Sequence, residues 1–144
     1  NFNRITDLLL YLAARSENIP LIEKHYKKKI ILIDRFIDST IAYQHYGFGV
    51  NLDLINFINK YLLANFKIDY TFINIVNKKN MNKRLKLRKS LNRYDKFNNI
   101  FYEKVQKGFL KIANKNKNKY KIIDSNLDIK NNEQEVIQVV NRLI

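Results

Sequence analysis

Ile30-Ile31-Leu32-Ile33-Asp34-Arg35-Phe36, followed by Ser39-Thr40-Ile41-Ala42-Tyr43-Gln44 and Tyr46-Gly47, is the stretch whose reading decides the fold. Four consecutive apolar residues with no alternation have the pattern of a short strand covered on both faces, as in a parallel sheet. Ligands of open parallel sheets bind beyond the carboxyl ends of the strands, and Asp34 and Arg35 stand at that end. Alone, such a pair is more often a strand-end ion pair or loop salt bridge. Asp38 or Ser39 can cap a helix that runs through Tyr46 and is closed by Gly47 and Gly49. On that helix Thr40, Tyr43 and Gln44 fall at i, i+3 and i+4 and so share a face.

Upstream, Ile5, Leu8, Leu9, Leu12, Ser16 and Ile19 follow a three-and-four spacing, which predicts a helix over roughly residues 3–26. Pro20 removes one backbone donor and predicts a kink or a restart. Tyr11 and Arg15 are one turn apart on this helix, about 6 Å along its axis. An aromatic face beside a guanidinium fork suits a planar base, which the ring can stack on while the fork reads an edge oxygen. Taken singly, such a Tyr is more often core and such an Arg more often solvated.

Downstream, Asn51 can cap a helix over 52–65, and residues 70–76, rich in β-branched and aromatic side chains, read as a second strand. A helix around 81–88 leads into a basic loop, 89–93. Phe97, Phe101, Val105 and Ile112 mark a long helix, 114–119 a solvated connection, 120–124 a third strand, and Val136, Val139, Val140 and Leu143 a last helix. Strands separated by helices predict an α/β fold with a mostly parallel sheet. With no internal repeat and no linker, residues 1–144 read as a single domain.

Composition narrows the function classes. The chain has 144 residues, 46% of them hydrophobic, which places it among chains that bury a core. It has no cysteine, so disulfide scaffolds and thiolate metal sites are excluded. No apolar run approaches a bilayer span and no signal peptide opens the chain, which makes the cytoplasm the expected location and a membrane partner unexpected. Twenty-seven Lys and Arg against 13 Asp and Glu leave a net charge of +14, a field that favours anionic partners. The lysines are spread rather than clustered, and aromatic residues are not interleaved with them on any strand pair. No stable nucleic-acid complex is therefore expected.

The order and spacing of these elements resembles the thymidylate kinase family. Leu9-Leu10-Tyr11-Leu12-Ala13-Ala14-Arg15 is similar to the family's base-contacting helix, and Asp34-Arg35 through Tyr46-Gly47 to its Asp-Arg signature and following helix. Lys67-Ile68-Asp69-Tyr70-Thr71 resembles the entry to the next strand. Arg84, Arg88 and Asn92-Arg93 fall where the family carries an arginine-bearing lid, about 84–94 here. The resemblance runs from about Leu8 to Asp124 and implies a P-loop NTPase-like parallel sheet with flanking helices. It also implies ATP- and Mg²⁺-dependent phosphorylation of dTMP to dTDP, with a homodimer formed through apolar helix faces. Alternatives are another nucleoside monophosphate kinase, or a non-catalytic module that binds nucleotide or nucleic acid.

Carried over residue by residue, the resemblance implies that Tyr11 stacks on thymine and Arg15 bonds its carbonyl edge. Arg35 would hold the dTMP phosphate, with Asp34 orienting it and helping to position Mg²⁺ through water. Thr40 or Gln44 would read the base edge, and Tyr43 would pack where a ribose 2′-hydroxyl would sit. Arg84, Arg88 and Arg93 would be the catalytic arginines, closing over the transferring phosphoryl group. Departures from the family pattern are Asn92 in place of a frequent Asp, Ile68 in place of a frequent Pro, and Ile75 where an Asp often ends the second strand.

Glycine occurs only at positions 47, 49 and 108, so these residues contain no Gly-x-x-x-x-Gly-Lys-[Ser/Thr] cradle for ATP phosphates. In the family that loop and two strands come first, and the first of those strands lies between the ones corresponding to 30–34 and 70–76. The expectation is a sheet lacking its first two strands here, with preceding residues in the natural protein, and no turnover by these 144 residues alone.

Overall fold

The computed structural model describes residues 2–63 and 66–144. Two parallel strands, β1 (Thr71–Ile75) and β2 (Tyr120–Asp124), pair in register from Thr71–Tyr120 to Ile75–Asp124. The long connection between them carries α4 (Lys78–Lys86) and α5 (Asn99–Lys115), as a parallel crossover requires. Before the sheet come α1 (Arg4–His25), α2 (Ile37–Thr40) and α3 (Leu52–Leu62); after it comes α6 (Ile129–Leu143). The fold is α/β with a parallel sheet, as the alternation of elements predicts.

Local chemistry explains most helix starts. Asn3, Asn51, Asn77, Asn98 and Asp128 each accept a backbone N–H of the first turn through the side chain. The helix foreseen over 52–65 ends within the described residues at Leu62; positions 64 and 65 lie outside them. α1 runs through Pro20 without restarting, and Ile19 beside it is buried. Part of the stretch read as a solvated connection, 114–119, is structured: α5 continues to Lys115 and a 3₁₀ turn spans Lys117–Lys119.

Two expectations are overturned. The helix after Asp34-Arg35 is capped by neither Asp38 nor Ser39. Phe36 occupies the cap position without a side-chain bond, and Asp38 is buried instead, accepting from the Tyr120 hydroxyl at 3.2 Å. Beyond Thr40 that helix widens into a π-helical segment, Ile41–Gly47, a form often found at functional sites.

Residues 30–34 form no strand, and they are not covered on both faces: Ile30 is 66% and Leu32 88% exposed. A strand exists through its ladder, and β1 pairs with β2 on one edge while no described segment bonds its other edge. Lacking a neighbour, the apolar run faces β1 across open space.

Leu8, Leu12, Val50 and Ile55 form one buried cluster and Ala42, Phe101 and Val105 another, with Phe48 packed against both. The second cluster needs close helix approach, and Gly108 permits it: a Cβ there would lie 2.5 Å from the Tyr46 ring. No described helix is long and apolar enough to cross a membrane.

Candidate active site

An open groove runs from α1 past residues 30–44 to β1 and the lid. Tyr11, Arg15, Asp34, Arg35, Thr40, Tyr43, Gln44, Arg84 and Arg88 all line it. Nine of the ten side chains singled out from sequence thus border one extended groove. The tenth, Arg93, is not among the lining residues.

Each wall is built by a different element. α1 places Tyr11 and Arg15 one turn apart. Arg15 donates through Nη2 to Thr40 Oγ1 at 2.6 Å and to the Phe36 carbonyl at 3.1 Å, and through Nη1 to Asn59 Oδ1 at 3.2 Å. Its guanidinium also lies 5.2 Å from the Phe36 ring centre. Burial lowers its pKa from the ordinary value, against the attraction of Asp38. The fork is held rigidly, and a rigid fork can read a planar base edge without an ordering cost.

Arg35 has φ 64°, the only non-glycine in the left-handed region among the described residues. Backbone strain of this kind costs on the order of 1–3 kcal/mol and is concentrated at functional sites. Here it sets the guanidinium over Tyr43, 5.4 Å from the ring centre. Burial works against the Arg35 charge, but Tyr43, Asp34 and Tyr11 outweigh it and its pKa lies above the ordinary value. A charged fork in a cleft, fixed by an aromatic face, is suited to a phosphate.

Thr40 and Gln44 are almost wholly buried. Thr40 is engaged by Arg15. The Gln44 amide nitrogen lies 3.2 Å from Asp7 Oδ2 and 3.3 Å from the Tyr94 hydroxyl oxygen, donating to both. Both NH₂ hydrogens are therefore committed within the protein, which leaves the carbonyl oxygen as the group Gln44 can offer.

The arginines of the lid have internal partners. Arg84 donates to the Ser125 carbonyl at 2.5 Å, and Arg88 Nη1 reaches both Asp95 carboxylate oxygens at 2.7 Å. Arg93 turns away from the groove to Asp7, 2.7 Å from Oδ1. Asp7 and Tyr94 escape sequence reading. An acidic residue in a first helical turn looks like a dipole partner, and nothing local links it to residues more than eighty positions away. Tyr94 lines the groove between Tyr11 and Tyr43, at ring-centre distances of 6.3 and 5.2 Å. Burial, with Tyr11 and Asp7 beside it, raises the Tyr94 hydroxyl far above its usual pKa, so it is a neutral donor.

Among the described residues no three acidic or histidine side chains gather as a metal site. Asp34 and Asp69 both bring an exposed carboxylate to the groove, and Asp34 is the donor that the resemblance singles out. That donor fits Mg²⁺, which keeps several waters and takes one or two carboxylates with substrate phosphates.

The family model described as thymidylate kinase matches residues 1–136. Thymidylate kinases from Wolbachia sp. subsp. Brugia malayi and Wolbachia pipientis subsp. Culex pipiens are 36% and 38% identical, over 96% and 99% of this chain. The chain covers 66% and 69% of their lengths, so it spans about two thirds of these relatives. The crystal structure of thymidylate kinase from Ehrlichia chaffeensis superposes with a TM-score of 0.74 at 32% identity, covering 97% of this chain and 68% of that one. The family model, these relatives and the solved structure agree: this chain belongs to the thymidylate kinase family.

Proposed function

We propose that the groove binds dTMP and that these residues supply the acceptor site and lid of a kinase that converts dTMP to dTDP with ATP. The observation that carries this reading is the convergence of Arg35 with Tyr11 and Arg15, one charged fork for a phosphate and one aromatic-guanidinium pair for a base, on a single groove. Tyr11 stacks on thymine, Arg15 donates to its carbonyl edge with the N–H groups not used internally, and Gln44 offers a carbonyl oxygen to the ring N–H. Tyr43 packs beside the sugar, and Arg35 holds the phosphate.

In the reaction a dTMP phosphate oxygen attacks the γ-phosphorus of ATP; the bond from γ-phosphorus to the bridging oxygen breaks, and ADP leaves with that electron pair. Mg²⁺, when bound, neutralises charge on the phosphates. Arg84 and Arg88 face the same groove and stabilise the charge that spreads over the transferring oxygens. The cradle for the ATP phosphates is not among these residues, so turnover requires an additional segment. A nucleic-acid role has less support, because the aromatic side chains of the groove lie inside a cleft rather than on an open platform.

Calorimetry of the 144-residue chain with nucleotides checks the reading. dTMP is expected to bind more tightly than dCMP, dAMP and inorganic phosphate. Equal affinity for all four would replace a dTMP site with a general anion cleft.

A further inference from the structure

Asp7 is 3% exposed, and a buried carboxylate is costly unless paired and hydrogen-bonded. Its partners come from two distant parts of the chain. Oδ1 takes Arg93 Nη1 at 2.7 Å; Oδ2 takes the Tyr94 hydroxyl at 2.7 Å and the Gln44 amide at 3.2 Å. The guanidinium of Arg93 is further covered by the rings of Phe2 and Tyr94, at 5.6 and 5.5 Å. The lid up to Arg93 has little apolar reason to dock, since Leu87 is 75% and Leu91 49% exposed. What fastens its far end to α1 and to the π-helical segment is this polar cluster, together with the ring of Tyr94.

We infer that Asp7 is the buried anchor of the lid, a positioning residue that acts through Arg93 and Tyr94 on the base end of the groove. Arg93 is thereby a clamp of the lid's base, and phosphate contact is left to Arg84 and Arg88. The anchor holds Tyr94 between Tyr11 and Tyr43 before any ligand arrives and fixes the orientation of the Gln44 amide. A site whose walls are already ordered binds without the cost of ordering them.

Backbone hydrogen exchange of the ligand-free chain decides the anchor. Asp7→Asn keeps the shape and removes the charge, whereas Arg93→Gln removes the other partner. Each should speed exchange at residues 90–96 by about tenfold or more, well beyond any change in α5 around Val105, because breaking a buried pair strands the remaining group. The double variant should exchange little faster than either single one, since the two share one interaction. Should Asp7→Asn fail to fold, Arg93→Gln and Tyr94→Phe read the same segment. Exchange in 90–96 that stays unchanged, or that rises only by the factor seen in α5, overturns the anchor.

A second readout separates positioning from stability, and rests on the groove being a dTMP site. Asp7→Asn and Arg93→Gln should both weaken dTMP about tenfold while the variants remain folded. Unchanged dTMP affinity in variants with a loosened lid overturns the positioning role. If the unaltered chain binds no dTMP, the functional reading fails, and lid exchange still decides whether Asp7 is the anchor.

Discussion

Arg15 Nη2 stands 2.6 Å from Thr40 Oγ1, so the guanidinium assigned to the base edge is set in place by a residue of the neighbouring helix. An arginine carries five N–H donors. Three are used on Thr40, Phe36 and Asn59, which leaves two for a ligand.

Thr40→Val keeps the shape and removes the acceptor. It should weaken dTMP by about 0.5–1.5 kcal/mol, the scale of one hydrogen bond, and Arg15→Ala should weaken it more. Calorimetry on the two variants reads the order, and equal losses would mean that Thr40 contacts the ligand itself.

Arg88 is paired with Asp95 through a half-exposed guanidinium and a carboxylate only 7% exposed, and that carboxylate keeps the Asn92 N–H when Arg88 turns to a phosphoryl group. In a protein that includes an ATP-cradling segment, Arg88→Ala should lower kcat about a hundredfold or more with dTMP affinity almost unchanged, as expected of contacts made in the transition state. Arg93→Ala should show the opposite balance, with loss in binding as the lid loosens. Steady-state rates combined with direct binding separate the two.

Asp38 is buried, and burial raises its pKa above the ordinary value of 3.8, against the opposing effects of the Tyr120 hydroxyl and Arg15. A carboxyl raised on folding contributes stability fully present below its unfolded pKa and lost as pH rises through the folded one. Asp38→Asn retains an acceptor for Tyr120 and does not ionise. Relative to this variant the parent chain should lose stability as pH climbs above about 4 and then level off. Urea denaturation between pH 4 and 7 measures this, and a parent that gains stability over that window would reverse the sign.

Gly108→Ala puts a methyl against the Tyr46 ring, where a Cβ would be 2.5 Å from it. Overpacking of this kind costs about 1–3 kcal/mol. The thermal midpoint should fall, and Tyr46→Ala in the same background should recover part of the loss.

The sequence made the helices legible where a cap and an apolar period coincide, as at Asn51 and along α5. It also revealed β1 and β2, whose β-branched runs find each other. It misled at residues 30–33, because continuous apolarity reports that a segment is meant to be covered and is silent on whether the covering strand is among the residues in hand. Side chains of the groove were legible because helical spacing groups them: Tyr11 with Arg15, Thr40 with Tyr43 and Gln44. Asp7 was not, since its partners Arg93 and Tyr94 are brought to it only by the packing of α5 and the lid. Nor was the π-helical widening after Thr40, which has no signature in residue type.

The central claim is that the groove binds a nucleoside monophosphate by its phosphate as well as its base, with Arg35 carrying the phosphate. Calorimetry of the parent chain and Arg35→Ala, each against dTMP and thymidine, addresses this most directly. The account predicts that Arg35→Ala weakens dTMP by roughly 1.5–3 kcal/mol, the range for a hydrogen bond to a charged group, and leaves thymidine almost unaffected. A loss of the same size for thymidine as for dTMP would make Arg35 a structural residue and contradict the claim.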